Sequence, residues 1–186
     1  MSDSNERVCK VRIVGTAPLL MHRFGENAEA ELQAKSKKRS GAHTPEQAAK
    51  ELLYTLPNGK LCQPAEHIYR AMVKSAVNFQ ITGRGKKTYK DIVCGAMDVG
   101  PEFIEHISQK WTVDSRSVVI PATRGRVMRH RPRLNTWQLD FELTSRDEQL
   151  APEVLKQILE YCGNYVGIGD YRPRFGRFKV TKFEAD

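Results

Sequence analysis

Thr136 to Thr144 gives the cleanest alternation in the chain: Trp137, Leu139, Phe141 and Leu143 fall on one side, Gln138, Asp140, Glu142 and Thr144 on the other. A period of two with one apolar side predicts a half-buried strand. Val8 to Thr16 has the same character, with Cys9, Val11 and Ile13 opposed to Lys10 and Arg12. Arg116 to Ile120 predicts a further strand, and Arg177 to Phe183 a closing one. Helical spacing takes over elsewhere. Ile68, Met72, Ser75, Ala76 and Phe79 share one stripe of a helix that opens at Pro64, and Leu155, Ile158, Leu159, Cys162 and Val166 share another over Pro152 to Val166. Thr44-Pro45-Glu46-Gln47 combines a Thr cap, a first-turn proline and a Gln three residues on, which predicts a helix to about Tyr54. Pro57-Asn58-Gly59 predicts a turn.

Taken in order, the main elements run strand, helix, strand, strand, helix, strand. That is an α+β, ferredoxin-like (RRM-like) plan: an antiparallel sheet with two helices on one face. With 186 residues, a single domain is expected. In it, residues 81 to 115 read as an insertion between the first helix and the second strand. Residues 122 to 135 read as a basic finger. The aromatic signatures of RNA-recognition strands are missing, so this plan alone does not specify a function.

Charge changes the picture. Thirty Lys and Arg against 22 Asp and Glu leave a net charge of +8. Arg124, Arg126, Arg129, Arg131 and Arg133 follow one another with His130 and no intervening acid. Arg172, Arg174 and Arg177 form a second cluster, and Arg84, Lys86 and Lys87 crown a glycine-rich tip. Lys35, Lys37, Lys38 and Arg39 make a fourth. Arginine's planar fork suits phosphate oxygens, so the pattern points to a polyanionic partner. Cys9, Cys62, Cys94 and Cys162 are too scattered for a zinc site, and neither metal nor cofactor is expected. No apolar run approaches the roughly 18 residues of a membrane span. Met1 to Arg7 is polar, so a cytoplasmic location with no membrane partner is expected.

Gly167-Ile168-Gly169-Asp170-Tyr171-Arg172-Pro173-Arg174-Phe175-Gly176-Arg177-Phe178 resembles the glycine-rich loop of the repeat-associated mysterious proteins (RAMPs), the ferredoxin-fold RNA-binding subunits of CRISPR effector complexes. Leu56 to Met72 is similar to that family's turn, short strand, proline and helix, the helix carrying a basic residue where Arg70 or Lys74 stands. Within the superfamily the likeness is to the backbone subunit that polymerises along guide RNA. The resemblance implies binding of single-stranded RNA (or DNA), with self-association along the strand or contact with other CRISPR-type subunits.

In the loop, Gly167 and Gly169 are expected to bring backbone N–H groups close to a phosphate, while Arg172, Arg174 and Arg177 neutralise charge and Tyr171 or Phe175 stacks on a base. No Asp occurs between Val14 and Asp91, where the family's slicing members carry one. No catalytic residue is therefore expected. Two other readings stay open: a repeat-processing ribonuclease using His22, His67 or His130, of which His67, close to Tyr69, fits best; or a viral decoy imitating a CRISPR subunit.

Overall fold

The structure, a computed structural model, describes residues 6–23, 44–119 and 124–186. The basic stretch at 35–39 and the start of the expected finger, 122–123, lie outside the described residues. Along the chain come β1 (Arg7–Gly15), β2 (Leu19–Leu20), α1 (Pro45–Lys50), β3 (Cys62–Pro64), α2 (Ala65–Ala76), α3 (Lys90–Ala96), β4 (Met97–Gly100), β5 (Phe103–Glu105), β6 (Thr112–Val119), β7 (Arg126–Leu134), β8 (Gln138–Ser145), α4 (Pro152–Tyr161) and β9 (Phe178–Ala185). A single π-helical turn, Cys162–Val166, extends α4.

The main sheet is antiparallel in the order β4-β8-β1-β9. Reduced to β1, α2, β4, β8, α4 and β9, it is the ferredoxin-like arrangement. The alternation read from the sequence sets its two faces. Cys9, Val11, Ile13, Leu139, Phe141 and Leu143 are buried in one cluster with Ile68, Ala71 and Met72 of α2 and Leu155, Ile158 and Leu159 of α4. On the other face Arg12 pairs with Asp140, its Nε 2.7 Å from Oδ1. Each outer strand, β4 and β9, pairs on one side only, and β9 carries Lys179, Lys182 and Glu184.

Two expectations need correction. The second core strand is Met97–Gly100, not Arg116 to Ile120: Met97 faces Ser145 and Val99 faces Leu143 of β8. Residues 81–115 therefore include a strand of the main sheet, and the long excursion lies one connection later, between β4 and β8. It holds β5 and the hairpin β6–β7, whose three-stranded sheet has the order β2-β7-β6. A four-residue strand is too short to show a period, whereas β6 alternates well but pairs with β7 instead. The basic finger is thus regular from Arg126, Arg126–Leu134 being a strand paired with β6 from Arg126 to Arg133. The helix expected over 44–54 stops at Lys50, held by a complete capping box between Thr44 and Gln47.

Met97 is 2% exposed and Val119 is 53% exposed. Met97→Ala is therefore expected to destabilise the chain by about 3 kcal/mol, as truncation in a core does. Val119→Ala should cost about 0.5 kcal/mol or less. Urea unfolding of the two variants checks which segment belongs to the core.

Candidate nucleic-acid interface

The segment Thr16 to Met21 joins two basic structures. On one side β2 pairs with the base of β7, Leu19 opposite Leu134 and Leu20 opposite Arg133, and the Met21 N–H donates to Pro132 O at 3.0 Å. On the other side the glycine loop bonds to the same strip. The Asp170 N–H donates to Leu20 O at 2.9 Å and the Gly176 N–H to Pro18 O at 2.8 Å. Arg177 O accepts from Thr16 and Ala17. The hairpin and the loop, far apart in sequence, are thereby held against each other.

The glycines explain how closely the loop can lie. Gly169 has φ +75°, and a Cβ there would stand 2.5 Å from Leu19 Cδ1 and 2.6 Å from Leu20 O. Gly176 has φ +73°, and a Cβ there would stand 1.8 Å from Ile168 O. The positive φ values fit the expectation, and several of the loop's N–H groups are bonded within the chain. Those of Gly167, Ile168, Phe175 and Gly176 donate to Cys162 O, Gly176 O, Tyr171 O and Pro18 O, and that of Tyr171 to Asp170 Oδ1 at 2.9 Å. Gly169 and Gly176 allow close backbone packing, and the loop meets the hairpin through the side chains of Asp170, Tyr171 and Phe175.

Pairing in the hairpin puts Asp114, Arg116, Arg129, Arg131 and Arg133 on one face. Asp114 anchors that face. It accepts from Arg116 Nε at 2.5 Å and Arg133 Nη1 at 3.4 Å, and these bonds, that of Arg116 above all, hold its carboxyl below the usual range. The Arg116 guanidinium lies over the rings of Tyr171 and Phe175, at 5.3 and 4.7 Å from their centroids. Arg133 also covers Phe175 and donates to Asn135 Oδ1 at 2.8 Å. Phe175 is therefore buried beneath arginines and unavailable for stacking on a base, while Tyr171 remains 41% exposed.

Asp170 is the acid of the loop. Its Oδ2 lies 3.6 Å from His22 Nδ1 and 2.5 Å from Arg131 Nε. His22, then Arg131 and the Tyr171 N–H, hold the carboxyl at about 2 against an ordinary 3.8. Arg131, which lies over the Tyr171 ring, is only 8% exposed. It acts as a buried counter-ion that seats the loop, which separates it from the exposed members of its row.

The remaining predicted residues divide by position. Arg124, Arg126 and Arg129 are exposed towards the hairpin tip, and Tyr171, Arg172, Arg174 and Arg177 are exposed on the loop and its exit. Arg70 is paired with Glu66 on α2, Nε to Oε1 at 2.5 Å, and Lys74 is exposed one turn on. The tip bearing Arg84, Lys86 and Lys87 is separately held, by the Ile81 N–H to Lys87 O and the Tyr89 N–H to Phe79 O. Phe79 packs edge-on against Tyr161, which lies beside Tyr165. Asp114, Arg116 and Asp170 escaped the sequence reading; Asp170, the one acid in an arginine-rich loop, was the available signal.

His67 does not face Tyr69, whose hydroxyl donates to Cys94 O at 2.6 Å. Its ring meets Tyr54 edge-on at 5.4 Å, and its Nδ1 bonds to Gln63 Nε2. Burial, and then Arg172 and Arg70, push the His67 pKa down, so both arginines act on this ring. A depression of about 490 Å³ elsewhere is lined in part by Glu66, Asp98 and Glu102, acids unsuited to a polyanion. No cluster of metal-binding side chains occurs among the described residues, and no described helix is long and apolar enough to cross a membrane.

A chain in the cryo-EM structure of a Type III-B Cmr-beta complex bound to cognate target RNA superposes with a TM-score of 0.61, at 10% identity, over 97% of this chain. The chain has the fold of a RAMP. It spans 61% of the length of that Cmr-beta chain. Cmr6 from Pyrococcus furiosus overlays with a TM-score of 0.48 at 11% identity, covering 95% of this chain and 98% of that one. No protein-family model and no curated protein matches the sequence. Within this RAMP fold the basic hairpin leaves the sheet between the second and third core strands and returns beside the glycine loop.

The Asp170 carboxyl titrates lower in the folded chain than in the unfolded one. Its stabilisation is therefore complete above pH 3.8 and is lost as pH falls towards 2. Allowing for its partial exposure, the contribution is about 1–2 kcal/mol. Asp170→Asn should lower stability at pH 7, leave Arg131 without its anion, and flatten the pH dependence between 4 and 2. Thermal unfolding across that range checks both effects.

Proposed function

We propose that the chain binds the sugar–phosphate backbone of single-stranded nucleic acid, RNA in the first place, as a non-catalytic subunit of a CRISPR-type ribonucleoprotein. The observation that carries the reading is the convergence of two arginine-rich segments. The hairpin face and the loop meet through the Arg131–Asp170 pair and the Arg116 guanidinium over Tyr171 and Phe175, and Arg129, Arg172 and Arg174 are exposed. Two acids hold the base of the surface while the outer guanidiniums stay open for phosphate. Exposed Tyr171, backed by Arg116 and Arg131, offers one stacking ring. The RAMP fold supports the reading, because the similar Cmr-beta complex is bound to target RNA. Partners would then be the strand, further copies of this chain along it, or other CRISPR-type subunits.

A ribonuclease is the second reading, favoured by His22 and His67 lining one small cavity. Labelled RNA incubated with the protein, with and without magnesium, is expected to stay intact. Cleavage abolished by His67→Ala would establish the ribonuclease instead.

Binding through phosphates makes affinity fall linearly with salt on logarithmic axes, by about 0.7 per phosphate neutralised on a single strand. Arg129→Ala, Arg172→Ala and Arg174→Ala should each reduce that slope by about 0.7. Arg131→Ala should chiefly lower stability, because its cation is committed to Asp170. Fluorescence anisotropy over a salt series, with melting curves alongside, separates the two effects. A slope of zero in the wild type would refute phosphate binding. Trypsin cutting at Arg124, Arg126 and Arg129 should also slow once single-stranded RNA is added, whereas an unchanged cutting pattern would take the hairpin out of the interface.

A further inference from the structure

Helix α4 ends in the π-helical turn Cys162–Val166, closed by the Gly167 N–H donating to Cys162 O at 2.8 Å. Gly163 lets this turn lie flush against β9, since a Cβ there would run into Phe178 O and the Phe178 ring. Turns of this kind recur at functional sites. This one holds a ring out in solvent. Tyr165 is 64% exposed, the most open aromatic side chain among the described residues. Its ring lies 4.6 Å from that of Tyr161 at a tilt of 40°, and Tyr161 meets Phe79 edge-on at 5.6 Å. One side of Tyr165 is therefore backed by packed rings, and the rest of it faces water.

Phe79, the inner ring of that row, is also the foot of the basic tip. Its carbonyl accepts from the Tyr89 N–H at 3.0 Å, Gln80 bridges to Thr88, and the Ile81 N–H donates to Lys87 O at 2.9 Å. Two residues, at most about 7 Å of chain, separate Phe79 from that last rung. Arg84, Lys86 and Lys87 are all exposed, and none is engaged in an ion pair among the described residues. No acid occurs from His67 to Lys90; the nearest in sequence are Asp91, past the tip, and Glu160, before Tyr161. A ligand for this surface must offer a flat ring face and anionic groups a short distance apart. A single-stranded nucleic acid does, whereas a duplex keeps its ring faces inside its own stack. We propose that Tyr165 is a stacking platform for one unpaired base of the bound strand, with Arg84, Lys86 and Lys87 holding the phosphates beside it. The proposal rests on the strand-binding reading and extends its surface. Tyr165 and Tyr171 are six residues apart, at most about 22 Å between their Cα atoms, so one short stretch of strand reaches both rings.

The test uses the full chain, with anisotropy of a single-stranded RNA oligonucleotide over a salt series. Adenosine monophosphate is titrated in parallel while the Tyr165 ring resonances are followed. Tyr165→Ala is expected to weaken oligonucleotide binding about tenfold, as loss of one base–aromatic stack does, with the salt slope unchanged. Tyr165→Phe, which keeps the ring, should restore the affinity, and melting curves check that both variants fold. Lys86→Ala and Lys87→Ala should instead each lower the salt slope by about 0.7. Wild-type affinity in Tyr165→Ala, with the slope still lowered by Arg172→Ala, overturns the platform and leaves the strand reading standing. Adenosine monophosphate shifting the Tyr165 signals, without affinity for the oligonucleotide, overturns the strand reading and leaves a nucleotide platform. Poly-glutamate bound as tightly as the oligonucleotide, with no loss in Tyr165→Ala, marks a general anion surface and overturns the platform as well.

Discussion

Thr16 to Met21 is the strip on which both basic segments depend. Its backbone is bonded on one side to β7 and on the other to the glycine loop, and Ala17 O also accepts from the Trp137 indole at 2.8 Å. At Gly169 the loop lies so close to the strip that a Cβ would meet Leu19 and Leu20 O. Gly176, whose N–H bonds to Pro18 O, is confined instead by Ile168 O within the loop itself. Because the strip follows directly from β1, a central strand, the geometry of the arginine surface is inherited from the core of the sheet.

On that support the charges sort themselves by depth. Asp114 and Asp170 sit inside, each with a guanidinium at 2.5 Å, and the aromatic rings of Tyr171 and Phe175 fill the space between. Arg129, Arg172 and Arg174, close by in sequence, are instead exposed. The inner pairs cost desolvation and return it as fixed geometry; the outer ones keep their water until an anion replaces it. A stretch with uniform composition therefore contains two kinds of arginine, scaffold and contact.

What was legible in the sequence was whatever has a local cause. The alternation of β1 and β8, the apolar stripes of α2 and α4, the Thr44 capping box and the turn at Gly59 all follow from neighbours within a few residues. The glycine loop was found, and so were its positive φ angles. What escaped has non-local causes. β4 has four residues and is a strand because β8 lies beside it. Arg131 looks like Arg129 until Asp170 is brought against it. Gln63 reads as one more polar residue before a helix, and only the fold shows it buried with an oxygen unanswered.

The outer strands of the main sheet carry a consequence for growth into larger particles. β9 pairs with β1 along one side, and Lys179, Lys182 and Glu184 stud its length, a pattern that opposes docking of a further strand. The other border, β4, runs only from Met97 to Gly100, and its chain turns away at Pro101. Ribbon-like extension of the sheet from copy to copy is thus disfavoured at both borders. On the proposed strand-binding reading, the spacing between copies would be set by the reach of the hairpin and by the length of polymer each copy covers, as beads are spaced by their thread.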